Sequence, residues 1–215
     1  MRRGWWVFAG LLLVLGRPAG TWERASAAGA PAPGEEGLER YVIVPSESPV
    51  TYRVGEVFLE GNVFHVAVGT TNAVQGEVLI DRSSPRRSRV GTIIVDISQF
   101  KSDKPRRDNA IRTEWLESEK YPNAVFVPTE VKGLPDSYTL GQEIPAQILG
   151  TLKIRDVTKP ATFAAKLRLD GDALMGTATT TILMTDFGFE PPSILGMLKA
   201  ENEVKLEFNF VARPG

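Results

Sequence analysis

The chain has 215 residues, 42% of them hydrophobic and 24% charged, which is the composition of a folded protein of ordinary domain size. Its formal net charge of −1 predicts no electrostatic attraction to nucleic acid or to a membrane surface. The absence of cysteine excludes disulfides, a thiol nucleophile and thiolate metal ligands.

The first 27 residues have the pattern of an export signal. Arg2-Arg3 precedes an apolar run from Trp5 to Leu15, and Ala25-Ser26-Ala27 has the small residues of a cleavage site. The run is shorter than the roughly 20 apolar residues of a membrane-spanning helix. We therefore predict a signal peptide over residues 1–27 and an exported protein, periplasmic or extracellular. An uncleaved signal would leave the protein associated with the membrane.

Residues 28–40 contain too little apolar bulk to pack and are predicted to form a flexible linker. A single domain is predicted over residues 41–215. Its first half contains short runs rich in β-branched and aromatic residues, with turns predicted at Gly55-Glu56 and Gly61-Asn62. The predicted strands are Thr51–Val54, Val57–Leu59, Val63–Val68, Val74–Asp81 and Arg89–Ser98.

The residue period changes once, between Asp103 and Phe126. Asp108 is predicted as the N-cap of an amphipathic helix whose apolar side carries Ile111, Trp115 and Leu116. Tyr121-Pro122 is predicted to end it, because proline lacks a backbone N–H and disfavours helix in the residue before it. The apolar side of this helix needs a cover, for which the open end or one face of a β-structure is the simplest choice.

Period-two alternation returns after the helix. It is clearest near the C-terminus, where apolar residues from Val204 to Phe210 alternate with polar residues and predict one buried and one solvated face. Further strands are predicted at Val125–Val131, Ile148–Ile154 and Thr162–Leu169. We therefore predict an all-β, antiparallel sheet closed into a barrel or sandwich, because closure removes exposed strand edges.

The sequence contains little that indicates catalysis. His65 is the single histidine, so neither a zinc site nor a Ser-His-Asp triad is predicted. Glycine-rich phosphate loops are absent, and no cofactor is predicted. Carboxylate pairs such as Asp96 with Asp108, or Asp156 with Asp186, offer acid–base chemistry, but the same residues commonly cap turns. We predict a protein that is not an enzyme.

One basic cluster lies at the start of the predicted helix and contains Lys104, Arg106, Arg107 and Arg112. Such a cluster could receive an anionic head group. Neighbouring acidic residues could equally neutralise it in surface ion pairs. The sequence leaves both interpretations open.

Three segments in order resemble the YceI-like family of polyisoprenoid-binding proteins. They are RDNAIRTEWLESEKYPNAVF from Arg107 to Phe126, GTLKIRDVTKPATF from Gly150 to Phe163, and the stretch from Thr185 to Phe210 that begins TDFGFEPP. The family often opens with a His-Ser pair, in place of which this chain has Pro45-Ser46-Glu47-Ser48. The resemblance covers the chain from about Tyr41 to its C-terminus.

The resemblance implies a lipocalin-like antiparallel β-barrel with one amphipathic helix near its mouth. It also implies an exported protein that holds an isoprenoid or other lipid-like ligand in the barrel lumen. The residues that it places at the ligand are Arg107, Asp108 and Arg112 in a polar region by the helix, and Ile111, Trp115, Leu116 and Phe126 in an apolar pocket. Neither a metal nor a nucleic acid is implied.

Two matters stay open in the sequence. The lumen could be filled with side chains, in which case the protein is an interaction module whose Ser193–Lys199 segment presents Ile194, Leu195, Met197 and Leu198 to a partner. The sequence also leaves open whether two copies pair as a homodimer.

Overall fold

Strands make up most of the computed structural model, which describes residues 37–194 and 197–215; the predicted signal peptide lies outside these residues. The strands are β1 (Glu39–Ile43), β2 (Val50–Phe58), β3 (Val63–Thr71), β4 (Val74–Gln75), β5 (Glu77–Ile80), β6 (Arg89–Val90), β7 (Ile93–Asp96), β8 (Lys101–Ser102), β9 (Asn123–Lys132), β10 (Glu143–Ile154), β11 (Val157–Asp170), β12 (Ala173–Leu183), β13 (Ser193–Ile194) and β14 (Leu198–Pro214). Helix α1 (Pro105–Ala110) continues as a π-helical segment, Ile111–Trp115. Short 3₁₀ turns lie at Pro45–Glu47, Glu60–Asn62, Pro85–Arg87, Ile97–Gln99 and Met184–Phe187.

The described strands form one antiparallel sheet that curls back to its own start. From β9 the sheet runs through β10, β11 and β12 to β14, and then through β2 to β3. β4 follows β3 after two residues and pairs with β7, which pairs with β9. The chain therefore connects the two ends of the series, and the predicted all-β antiparallel barrel is confirmed.

β14 is long enough to join two parts of the sheet. Its first part pairs with β2, and its last residues pair with β1, which continues the sheet to β5 and β6. The alternation predicted for this strand is confirmed, since Val204 and Phe210 are buried while Glu203 and Lys205 are partly or fully exposed. Strand β1 begins at Glu39, within the segment predicted as linker.

The turn predicted at Gly55-Glu56 is wrong. β2 runs unbroken through both residues, because it pairs with β14 on one edge and with β3 on the other. A Cβ on Gly55 would lie 3.0 Å from the Phe64 ring and nearer still to the Glu201 carboxylate, so a larger residue there would displace these side chains. The turn predicted at Gly61-Asn62 is confirmed, and both residues have positive φ.

Both predicted ends of the helix are wrong. Lys104 is the N-cap, Pro105 occupies the first helical position, and Asp108 lies within the first turns. At the other end the helix stops at Trp115, because Glu117 adopts a positive φ of 46° and turns the chain. The backbone N–H of Leu116 donates to the Ile111 carbonyl (2.8 Å), the i to i+5 bond of a π-helix.

Candidate functional site

The barrel encloses an apolar cavity of about 640 Å³. Alternate residues of the strands line it, because side chains along a strand point to opposite faces of the sheet. The volume lies within the roughly 300–1,000 Å³ typical of small-molecule sites. Its wall includes Ile43, Val54, Ala67, Ile93, Ile148, Leu152, Phe163, Leu174, Ala178, Ile182, Leu206, Phe208 and Phe210. The hypothesis of an interior filled with side chains is therefore wrong.

The helical segment closes one side of this cavity. Ile111, Trp115 and Leu116 all line it, so the apolar side predicted from their spacing faces the barrel interior. Phe126, on β9, also lines it and packs edge-on against Phe163 with ring centroids 4.8 Å apart. The four apolar residues predicted at the ligand thus share one cavity, and their contact with a ligand stays a prediction.

An ion pair between the partly buried Arg107 and the buried Glu56 lies in the cavity wall. The Arg107 guanidinium donates to Glu56 Oε2 (2.9 Å) and to Asp103 Oδ1 (2.5 Å), and both Arg107 and Glu56 line the cavity. Burial acts to lower the pKa of Arg107, but the hydrogen bonds and negative charges of Glu56 and Asp103 outweigh it and raise that pKa. The same hydrogen bond from Arg107 lowers the pKa of Asp103. Arg107 therefore stays charged beside an apolar lumen.

Tyr52 lies close to this ion pair and also lines the cavity. Its ring covers Gly69 of the neighbouring strand and meets Phe100 edge-on at 5.1 Å. The Tyr52 hydroxyl is buried and has no hydrogen-bond partner in the part of the chain that the structure describes. Burial raises the pKa of Tyr52 to about 12, against a smaller opposing effect of the Arg107 charge. Tyr52 is therefore neutral at every physiological pH.

Two of the predicted polar residues do not line the cavity. Asp108 accepts hydrogen bonds from the Ser102 backbone N–H (2.9 Å) and hydroxyl (2.6 Å), which ties the helix to β8. Arg112 donates to the Phe100 carbonyl (3.4 Å). Of the predicted polar set, the structure brings only Arg107 to the lumen.

Sequence reasoning missed Glu56 and Tyr52. Both lie on the same face of β2 as Val54, so a period-two reading of Tyr52, Val54, Glu56 and Phe58 would have placed them inward. The incorrect turn at Gly55-Glu56 hid this pattern. The signal in the sequence was a carboxylate, Glu56, on the same face of the strand as the apolar residues.

The cavity reaches the protein surface at one end of the barrel, here called the mouth. Phe58, Lys104, Arg106 and Met197 line it there and are exposed. Of the residues predicted to meet a partner, Met197 is exposed, whereas Leu198 is buried, contrary to the interaction-module hypothesis. Leu195 lies outside the described residues.

Two of the polar residues considered for catalysis, His65 and Asp96, lie beside other polar groups of the barrel. His65 Nδ1 lies 3.7 Å from Glu56 Oε2, on an exposed part of β3. Asp96 accepts hydrogen bonds from the Ser98 backbone N–H (3.0 Å) and hydroxyl (2.6 Å). Within residues 37–194 and 197–215, no three His, Asp or Glu side chains are grouped so as to hold a metal ion. In the same residues, no helix has the length and apolarity needed to cross a membrane.

Sequence comparison identifies relatives across most of the chain. Residues 41–212 match the YceI-like domain. A UPF0312 protein of Pseudomonas putida is 28% identical over 145 residues, which cover 63% of this chain and 72% of that protein. A UPF0312 protein of Pseudomonas aeruginosa is 29% identical over 160 residues, covering 69% and 77% respectively.

Solved structures of lower identity share the fold. A polyisoprenoid-binding domain from Saccharophagus degradans superposes with a TM-score of 0.61 at 12% identity, covering 83% of this chain and 99% of that domain. BcnA of Burkholderia cenocepacia gives a TM-score of 0.59 at 17% identity, covering 79% and 98%. Both confirm the barrel architecture.

Proposed function

This chain belongs to the YceI-like family, and on that basis we propose that its barrel holds a long apolar or amphiphilic molecule for transport, storage or stress protection. The ligand classes that fit are polyisoprenoids, isoprenoid quinones and fatty-acid-like molecules. The observation that carries the proposal is the apolar cavity of about 640 Å³ that reaches the surface at the mouth. The similarity to a polyisoprenoid-binding domain supports it.

Hydrophobic burial supplies the affinity in this proposal. Each methylene removed from water contributes about 0.8 kcal/mol, so a long chain binds without many specific polar contacts. Ile111, Trp115, Leu116 and Phe126 form part of the apolar wall that would contact the chain of the ligand. Because such a wall recognises length and shape more than chemical detail, we expect several related ligands to bind.

We infer that the polar end of an amphiphilic ligand lies beside the Arg107–Glu56 pair. Its two charges already balance each other at 2.9 Å. A charged head group would have to compete with one of them in a desolvated environment. An uncharged head group that accepts a hydrogen bond from the Arg107 guanidinium leaves the ion pair intact and is the better match.

Mass spectrometry tests the proposal directly. We expect protein purified after export to retain a stoichiometric apolar molecule in native spectra, which organic extraction then releases. Two results together contradict the proposal: a native mass equal to that of the protein alone, and no uptake when prenyl quinones or fatty acids are offered.

A matched pair of substitutions tests whether the cavity is the site. Ala178→Phe places a large side chain inside the cavity wall and should abolish uptake, whereas Ala164→Phe adds the same group on the exposed outer face of β11 and should not. Circular dichroism and thermal unfolding confirm that both variants fold. Equal uptake by the two variants would show that the ligand binds elsewhere.

Export is part of the proposal. Its support is the pattern of residues 1–27, with paired arginines, an apolar run and small residues before Ala28. We expect the exported protein to begin at Ala28, which the intact mass of protein recovered from the periplasm measures. A mass that includes the first 27 residues would instead support an N-terminal membrane anchor.

A further inference from the structure

Exposed apolar side chains are concentrated at one end of the barrel. Nine large hydrophobic residues are exposed in the described part of the chain, and six of them lie on the β2–β3 hairpin or beside it. These six form what we call the apolar tip: Phe58, Leu59, Val63, Phe64, Val66 and Met197. The remaining three, Val127, Leu140 and Leu183, are on other strands or loops. Large clustered apolar surfaces mark interaction sites, whereas single exposed residues do not.

Backbone hydrogen bonds hold the apolar tip together. The Leu59 N–H donates to the Met197 carbonyl (2.9 Å), which joins the hairpin to the β13–β14 turn. Phe58 pairs with Val63 across the hairpin and with Leu198 on its other side. The tip is thus part of the sheet and presents its side chains in a defined arrangement.

The apolar tip is continuous with the mouth of the cavity. Phe58 and Met197 belong to both, since they are exposed and also line the cavity. Phe64 lies on the opposite face of the hairpin, where its ring approaches Gly55. An apolar surface therefore runs from the interior of the barrel across its rim to the outside.

We propose that the apolar tip inserts into the surface of a lipid bilayer, with the mouth of the cavity facing the lipid. A bilayer covers apolar side chains of the tip while leaving the mouth in contact with hydrocarbon. A second copy of this chain seated on the tip would instead seal the mouth. Insertion itself does not depend on the proposed function. Its consequence does rest on that function: a ligand would pass between bilayer and lumen without entering water.

Charges around the tip are mixed in sign. Lys104 and Arg106 are exposed at the rim, while Glu60 is exposed on the hairpin turn and Glu201 on β14. Apolar insertion therefore supplies most of the attraction, and we expect binding to respond weakly to salt. The net charge of −1 predicts no electrostatic attraction to membranes, which is consistent with binding through apolar insertion.

Site-specific fluorescence tests the orientation. Because the chain has no cysteine, Phe64→Cys and Leu140→Cys each provide a unique site for an environment-sensitive fluorophore. Both parent residues are exposed, but Leu140 lies in the β9–β10 loop and outside the tip. With vesicles of phosphatidylethanolamine and phosphatidylglycerol, we expect a blue shift and quenching by spin-labelled lipid at position 64 and neither at position 140.

Three results would overturn the inference. The labels could both stay unquenched, or they could be quenched equally, which would show that the bilayer does not distinguish the apolar tip from the rest of the surface. The label at position 64 could also change with protein concentration in the absence of vesicles, which would show that a second copy covers the tip.

A substitution separates docking from ligand binding. Phe64→Ser should lower the vesicle partition coefficient by about tenfold or more, because the transfer energy of one aromatic side chain is lost. Leu140→Ser serves as the matched control and should leave partition unchanged. Uptake of an apolar dye from solution should be the same in both variants. Unchanged partition of Phe64→Ser contradicts the inference, whereas failure of dye uptake in the unsubstituted protein contradicts the proposed function.

Discussion

Replacement of Tyr52 by phenylalanine should stabilise this protein, contrary to the usual effect of a substitution in a buried position. The Tyr52 hydroxyl is buried without a hydrogen-bond partner in the described residues, and such a group costs about 1–3 kcal/mol. Tyr52→Phe removes the hydroxyl and retains the ring that covers Gly69 and meets Phe100. We expect the free energy of unfolding at pH 7 to rise by about 1 kcal/mol.

Tyr41 provides the matched control. It is fully buried, and its hydroxyl accepts a hydrogen bond from Arg82 and lies 3.4 Å from Glu39 Oε2. Tyr41→Phe should therefore lower the free energy of unfolding by about 1–2 kcal/mol. Urea titration of the two variants and the unsubstituted protein measures both changes. A loss of more than about 1 kcal/mol in Tyr52→Phe would show that its hydroxyl is hydrogen-bonded and would refute the reasoning.

The same tyrosine gives a prediction for alkaline pH. Burial raises the Tyr52 pKa from 10.0 to about 12 in the folded protein. A group whose pKa is raised by folding contributes stability below its unfolded pKa and loses it as pH rises through the folded value. Between pH 10 and 12 we therefore expect a loss of roughly 2 kcal/mol from Tyr52 ionisation. Tyr52→Phe should lack this component, which unfolding titrations across that pH range would reveal.

Three further substitutions test the lumen and its polar wall. Arg107→Leu leaves Glu56 buried without its cation and should lower the free energy of unfolding by about 3 kcal/mol. Adding Glu56→Gln to the same chain should restore most of this loss. Additive losses in a double-mutant cycle measured by urea unfolding would contradict this. Gly69→Ala should lower the free energy of unfolding by about 1–3 kcal/mol, because the new Cβ would lie 2.2 Å from Tyr52 Cε1. The loss should disappear when Tyr52 is also replaced by alanine. If the loss persisted there, backbone strain would be its cause. Trp115→Asp should weaken retention of an apolar ligand about tenfold or more, measured by dye displacement, and unchanged retention would move the site away from the helix.

The predicted strands were most accurate where side-chain alternation was regular. From Val204 to Phe210 the alternation predicted the inward residues, and the structure confirmed them. Inside β2 the prediction failed because Gly55-Glu56 has the composition of a turn, whereas pairing on both edges keeps the strand extended. A local signal was overruled there by contacts with distant parts of the chain.

For the helix, too, the sequence predicted one feature correctly and another wrongly. The spacing of Ile111, Trp115 and Leu116 correctly predicted the side that faces the barrel. The predicted ends were wrong for two different reasons. The helix begins at Pro105, which the local preference of proline for the first helical position would have indicated. At the other end Glu117 pairs with Arg155 from the β10–β11 turn, a contact between distant parts of the chain that capping rules applied to the helix alone could not identify.

Side-chain periodicity indicated the class of fold and the inward faces of the helix and of the most regular strands, because it follows from the geometry of one strand or one helix. The open interior follows from the folded barrel and not from any one segment, since the volume of a lumen depends on how the whole sheet closes. The fold also brings Arg107 to Glu56, 51 residues earlier in the chain, beside Tyr52. An isolated charge in a strand pattern has no determined partner until closure of the barrel brings one within hydrogen-bonding distance.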